Sequence, residues 1–388
     1  METETLNMLT ATIPEITSQI ERQLRDGDYT PVILIGKTGV GKSESIRDLA
    51  ERLGIGFKEL RLSHYQESDL IGLPYIDEKG ITRHAPSDLL PDEKDKKQGI
   101  LMLDEVTSAP RSMRSAVYQL LDSSRSLGRY HLPKKWMVVA CGNGPDDGGD
   151  FRGIEPAFLS RGFCWRIEEN FRVWKKWALE HDIHPVVTAF LSFKPEYLHV
   201  MNPERSYDMI ACPRNWVKLS TELKNMEKRF ADGVIDDENL LEFAVDGCIG
   251  CQCGQAFTTF YKFRSMLINP EEIMAGKVPA AKMKKVKDEV LYMTAQALVK
   301  AVADDIASNI SKDGFSVSED CLQRVANACS WIMDIGAKVR LDTAISMIRD
   351  MTVTVGSSFN TVLMSDEFDS ICPGFTDFAV ENRAVFGE

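Results

Sequence analysis

Apolar residues in the first part of the chain recur in two rhythms. Ile13, Ile16, Ile20 and Leu24 fall near one helical face, Thr12 and Glu15 stand at capping-box spacing, and Gly27 follows. That pattern predicts a helix over about 14–25. Val32-Ile33-Leu34-Ile35 is instead a short continuous apolar run, a strand that leads straight into a glycine-rich stretch. A second helix follows, with Ile46, Leu49 and Leu53 inward and Gly54 as its stop. Further strands are expected at 57–62, 100–103 and 136–141, and Met113, Val117, Leu120 and Leu121 predict a helix over 112–122. Strands alternating with helices imply an α/β fold, a mostly parallel sheet covered by helices on both faces.

From about Phe171 the texture becomes helical only. Candidates are 173–180, 185–193, 214–227, 238–248 and 254–263, separated by loop signals such as Asp232-Gly233 and Asn269-Pro270. Near Ala280 a further block begins, in which Val286, Val290, Met293, Ala297 and Val302 predict one long amphipathic helix. The expected organisation is therefore an α/β domain over 1–170, a helical domain over 171–266, and a helical region over 267–388 with no assigned role.

Composition is that of an ordinary globular protein: 388 residues, 44% hydrophobic and 27% charged. The net charge of −12 argues against a general nucleic-acid or anionic-membrane binder, which needs surplus Lys and Arg. The amino end has no charged-then-apolar leader pattern, and the run Val32–Ile35 is too short to span a bilayer. Nine scattered cysteines read as reduced thiols of a cytoplasmic protein.

The stretch Gly36-Lys37-Thr38-Gly39-Val40-Gly41-Lys42-Ser43 fits G-x-x-x-x-G-K-[ST] at every defined position, between a strand and a helix. Its glycines let backbone N–H groups converge on a phosphate, and Lys42 can neutralise β/γ oxygens. The Ser43 hydroxyl can ligate Mg²⁺. The following Glu44 completes the expected nucleotide-binding stretch. Ile100-Leu101-Met102-Leu103 ends in Asp104 and Glu105, so Asp104 can hold the metal's water shell while Glu105 polarises an attacking water. Paired in this way, the two carboxylates point to hydrolysis rather than transfer to a metabolite. Asn143, at the end of the strand 136–141, can orient that water.

Three other clusters invite chemistry. Cys248, Cys251 and Cys253 lack a nearby fourth ligand for a structural zinc. Asp146-Asp147-Gly148-Gly149-Asp150 lacks calcium-site spacing and reads as a solvated loop. Arg111, Arg114, Arg125, Arg129, Lys134 and Lys135 form a basic concentration that suits a subunit interface around nucleotide, or else a nucleic-acid backbone or an acidic partner.

With these motifs in order, followed by Glu155-Pro156-Ala157-Phe158-Leu159-Ser160-Arg161 and later Ala211-Cys212-Pro213-Arg214, the chain resembles the AAA+ superfamily. Within it the resemblance is to the MoxR-like branch that includes NorQ- and CbbQ-type ATPases. That branch is carried by Asp69-Leu70-Ile71-Gly72-Leu73-Pro74, Ala85-Pro86, Ala116-Val117-Tyr118-Gln119-Leu120-Leu121 and Gly128-Arg129-Tyr130-His131-Leu132-Pro133. The likeness covers about 14–263 and thins beyond it. It implies a three-layer αβα P-loop domain followed by an all-α lid, with ATP and Mg²⁺ as cofactors. By the same likeness Lys42 and Ser43 are Walker A, Asp104 and Glu105 Walker B, and Asn143 sensor 1. Arg161 is the arginine finger given to a neighbouring subunit, and Arg214 is sensor 2, acting in its own subunit or in a neighbour's. Two departures stand out: Ser160-Arg161-Gly162-Phe163 where Asp-Arg-Phe is common, and Cys212 where Ser or Thr is common. The resemblance also implies an insert around 69–81 and a hairpin around 126–133 on the pore side of a hexameric ring. The implied partners are further copies of the chain and a client protein, such as a separate von Willebrand factor A domain protein, and no membrane is expected; the alternative reading is a nucleic-acid motor of helicase or loader type, or an ATP-binding regulatory assembly protein.

Overall fold

The structure, a computed structural model, describes residues 8–85, 87–92, 94–145, 147, 151–201, 209–231, 238–310, 317–363 and 366–383. Pro86, most of the loop 146–150 and Asp232-Gly233 lie outside the described residues. The chain forms two compact units, one of residues 1–173, 201–208 and 212–214, the other of 174–200, 209–211 and 215–388.

The first unit opens with α1 (Ile13–Asp26), which begins as its sequence predicts: the Thr12 N–H donates to Glu15 Oε2 at 2.7 Å, and Pro14 occupies the first turn. Gly27, at φ 73°, closes it with its N–H on the Gln23 carbonyl. Six strands make one sheet: β1 (Thr10–Ala11), β2 (Val32–Gly36), β3 (Gly56–Arg61), β4 (Gly99–Asp104), β5 (Trp136–Gly142) and β6 (Phe163–Ile167). Their spatial order is β1-β6-β2-β5-β4-β3, and every pairing is parallel.

The apolar runs are continuous because both faces are covered, and period-two alternation divides their side chains between two cores. Ile33, Ile35, Leu101, Leu103, Val138 and Ala140 pack on one side with Met113, Val117 and Leu120 of the helix Arg111–Leu121. Val32, Leu34, Ile100, Met102, Met137 and Val139 pack on the other with α1 and with Ile46 and Leu49 of α2 (Lys42–Arg52). The result is the three-layer αβα domain. Register then sets the chemistry: Ile35 pairs with Gly142 and Leu103 with Ala140, so β2, β4 and β5 all finish on one edge.

Two antiparallel hairpins lie outside the sheet, Pro74–Ile76 with Thr82–His84, and Ser126–Leu127 with Tyr130–His131. The first exposes Leu73, Tyr75, Ile76 and Ile81.

The second unit is helical apart from isolated bridges. Phe190, Trp216, Phe257 and Phe260 form an aromatic cluster, with Phe190 centroids 5.4–5.5 Å from the other three. The helix Asp288–Asn309 packs along Pro185–Phe193, so described residues beyond 266 share this unit with 174–200. A buried ion pair, Lys175 to Asp350 at 2.6 Å, reinforces it, and Gln296 donates to the same carboxylate at 2.8 Å. The long helix starts at Asp288 rather than before Val286, because 280–285 takes a separate 3₁₀ turn. Among the described residues no helix is long and apolar enough to cross a membrane.

Candidate nucleotide site

The loop leaving β2 is shaped by what its glycines must avoid. A Cβ on Gly36 would stand 2.3 Å from the Ile167 carbonyl oxygen on β6, and Gly39 and Gly41 sit at φ 77° and 97°. A Cβ on Gly39 would also lie 2.4 Å from Cys212 Sγ. The Thr38 N–H donates to the Asp147 carbonyl at 3.1 Å, Lys37 pairs with Glu169 at 2.5 Å, and Val40 is buried. Glu44 is solvent-facing, 3.6 Å from Arg47.

Lys42 opens α2 and turns back into this loop. Its Nζ donates to the Gly36 carbonyl at 2.5 Å, the Lys37 carbonyl at 2.8 Å and Asn143 Oδ1 at 3.1 Å. Only 8% of the residue is exposed, and among the described residues no carboxylate lies within ion-pair distance. Burial is the largest influence on it and pushes its pKa below the usual lysine value, against the opposing fields of Asp104 and Asp147. A buried ammonium bonded only to neutral oxygens is an anion receptor awaiting its anion.

The second group sits where β4 and β5 end. Ser43 Oγ donates to Asp104 Oδ2 at 2.8 Å, which brings together the hydroxyl and carboxylate oxygens that Mg²⁺ prefers. Glu105 is held at φ 58°, a region costly for a side-chain-bearing residue and commonest where function requires it. Its N–H donates to Asp104 Oδ1 at 2.9 Å, and Ser63 Oγ donates to its Oε2. The Asn143 N–H donates to Thr107 Oγ1 at 3.0 Å, which leaves Oδ1 toward Lys42. Two hydrogen bonds from adjacent residues thus reach the ends of the two strands, Lys42 to Asn143 and Ser43 to Asp104, and Glu105 follows Asp104 in the chain.

The two arginines differ. The Arg214 N–H donates to the Gly39 carbonyl at 3.2 Å, with its exposed side chain starting beside the loop. Its field is among those that lower Lys42. Arg161 lies at the opposite edge of the sheet. It precedes Phe163, which pairs with Val32 at the start of β2, whereas Ile167 pairs with Gly36 at its end. Four strand steps separate the two registers, roughly 13 Å at 3.3 Å per residue. Arg161 is therefore remote from its own chain's loop.

Several participants were not signalled by motif. Asp147, read as part of a solvated loop, is fully buried: Oδ1 accepts from Arg166 at 2.7 Å and Oδ2 from the Gly144 N–H at 2.7 Å. The usable sign was Arg166 itself, a lone cation inside the apolar run Phe163-Cys164-Trp165-Arg166-Ile167. Ser63 carried no sign. Two of the six cations are used within the chain: Arg114 is buried on Glu155 and the Ala109 carbonyl, and Arg125 donates to the Trp136 and Pro133 carbonyls, while Arg111, Arg129, Lys134 and Lys135 are exposed. Cys248 and Cys253 are buried and Cys251 exposed, and among the described residues no group of three His, Cys, Asp or Glu side chains gathers as a metal site.

Residues 31–162 match the model of the AAA domain, dynein-related subfamily. This stretch is an AAA domain. Its bounds enclose the P-loop, the Asp104-Glu105 pair, Asn143 and Arg161. Midasin from Giardia intestinalis is 30% identical over 139 residues, which are 34% of this chain and 3% of that protein. A crystal structure titled as a "putative ATPase" from Cytophaga hutchinsonii aligns with 60% of this chain and 83% of its own at 16% identity and a TM-score of 0.31.

Proposed function

We propose that this chain hydrolyses ATP with Mg²⁺ at sites shared between copies, in a ring of the MoxR-like kind, hexameric by that likeness, that remodels a client protein. The observation that carries the reading is Lys42: a buried ammonium with neutral partners, beside a hydroxyl–carboxylate pair and at the mouth of a positive-φ glycine loop. Lys42 would draw β/γ-phosphate oxygens, while N–H groups of 39–43 surround the β-phosphate at the start of α2. Ser43 and Asp104 would hold Mg²⁺, which supplies charge neutralisation at the phosphates when bound. Glu105, aligned by Ser63 Oγ, would accept the proton of the attacking water, and Asn143 would orient that water while tied to Lys42.

Arg161, distant from its own loop, would serve the phosphate bound by a neighbouring copy, and Arg214 would follow the state of the loop through Gly39. A protein client suits the exposed apolar hairpin at Leu73, Tyr75, Ile76 and Ile81 better than a nucleic acid does. The internal use of Arg114 and Arg125 weakens the nucleic-acid alternative further. A von Willebrand factor A domain protein as client and a cytoplasmic setting rest on the MoxR-like resemblance and on nine free thiols. The test is Glu105→Gln, which keeps Asp104 and the Ser63 contact but cannot take a proton. It should bind Mg-ATP like wild type and turn over at least about 100-fold more slowly. Turnover within a few-fold of wild type would remove Glu105 from the reaction.

A further inference from the structure

Arg161 is gripped on several sides by its own chain. Its Nε donates to Asp122 Oδ1 at 2.6 Å, its Nη1 donates to the Ala157 carbonyl, and its guanidinium carbon stands 5.0 Å from the Tyr118 ring centroid. Tyr118 and Asp122 belong to the last turn and C-cap of the helix Arg111–Leu121, one turn apart, so a single element presents both. The grip is itself anchored. The Tyr118 hydroxyl donates to Glu155 Oε2, Glu155 Oε1 accepts from buried Arg114 at 3.2 Å, and the ring packs on Phe158 at 5.3 Å. Burial, then the Glu155 bond, push the Tyr118 hydroxyl up to about 12, so it stays a donor throughout neutral pH.

A guanidinium has five N–H donors. The contacts above use Nε and one N–H of Nη1, and among the described residues Nη2 makes no hydrogen bond. With a quarter of its side chain still exposed, Arg161 is neither buried structurally nor loose. An ordinary surface arginine would lose its rotamer freedom on meeting a phosphate; this one is already ordered.

Resting on the shared-site reading, we infer that Asp122 and Tyr118 are positioning residues: they set the Arg161 guanidinium so that Nη2 is offered, preordered, to the phosphate bound by a neighbouring copy. Asp122 fixes the rotation through Nε, and the Tyr118 face fixes the plane. Because the device sits on the subunit that donates the finger, its loss must appear in the neighbour's turnover and not in nucleotide binding.

The experiment uses full-length chains. Asp122→Ala, at a side chain 40% exposed and so of little risk to folding, should bind a fluorescent ATP analogue within about twofold of wild type and hydrolyse ATP about 10- to 100-fold more slowly. Asp122→Asn, which keeps an acceptor, should fall between the two, and Tyr118→Leu should resemble Asp122→Ala. Direction is read by mixing. Asp122→Ala with Lys42→Ala should regain activity, because Lys42→Ala brings a sound finger to a sound loop. Asp122→Ala with Arg161→Ala should gain nothing, since neither supplies one. Wild-type turnover by Asp122→Ala, or rescue by Arg161→Ala, would overturn the inference. Should Arg161→Ala and Lys42→Ala together stay inactive though co-assembled, the shared-site reading fails and the inference goes with it. If that pair is active while Asp122→Ala behaves like wild type, the inference alone fails.

Discussion

Replacing Arg166 by leucine should unsettle the first unit far more than a partly exposed arginine ordinarily would. Asp147 is fully buried, and its two carboxylate oxygens accept from Arg166 and from the Gly144 N–H, each at 2.7 Å. With leucine at 166 the carboxylate keeps only the amide donor and stays out of water. Removing one partner of a buried pair costs about 3–5 kcal/mol. Since the Arg166 side chain is 21% exposed and Glu168 already lies 3.8 Å from it, the lower end applies, about 3 kcal/mol. At about 2–4 °C per kcal/mol for a unit of this size, the expected loss is roughly 6–12 °C in Tm. Thermal unfolding would measure that shift and denaturant unfolding followed by tryptophan fluorescence the free energy, with Asp147→Ala and the double variant completing a cycle. The double variant carries no orphan charge, so it should be more stable than Arg166→Leu alone, with a coupling of about 2 kcal/mol. A loss below about 1 kcal/mol for Arg166→Leu, or a double variant weaker than the single, would refute the reasoning. Because the Asp147 carbonyl holds the Thr38 N–H, the same variant should also weaken nucleotide binding.

Gly39→Ala meets both a φ of 77°, costing about 1–2 kcal/mol, and Cys212 Sγ at 2.4 Å from the new Cβ. It should lower ATP-analogue affinity at least about tenfold, and Cys212→Ala added to it should restore part; no loss, or no restoration, contradicts the packing account. Lys42→Ala should abolish analogue binding in a direct titration, and affinity within about threefold of wild type would remove Lys42 from the site. Burial lowers the Lys42 pKa in the free chain and bound phosphate raises it again. Binding should therefore take up protons in the window between that lowered value and about 10.5, measurable by calorimetry in buffers of different ionisation heat. Proton release there would reverse the sign.

Legibility along the chain followed how local the determining physics was. The loop 36–43 and the strands 32–35, 100–103 and 136–141 declare themselves because a buried parallel strand must be apolar throughout and a phosphate loop must be rich in glycine. β6 escaped because Phe163–Ile167 is short and carries Arg166, whose partner lies nineteen residues back in a loop that looks solvated. Ser63 escaped because nothing local announces a hydroxyl that only register on β3 and β4 brings to Glu105. Helices beyond 310, such as Glu319–Lys338, carry no motif, and their inward residues find their partners only when Val325, Met347 and Phe359 meet in one core. Arg161 was readable as a motif residue, but its remoteness from its own loop is a matter of sheet register alone.

Shared sites are tested most directly by mixing two inactive chains. Arg161→Ala keeps a sound loop and lacks the finger; Lys42→Ala keeps a sound finger and lacks the loop's cation. Specific activity of wild type should climb with protein concentration as copies assemble, each variant alone should hydrolyse ATP poorly, and Arg161→Ala should still bind it. In the mixture an interface pairing the Arg161→Ala loop with the Lys42→Ala finger is complete, so turnover should exceed that of either parent. If both variants are folded and shown to co-assemble while the mixture remains as inactive as its components, the site is not shared between copies.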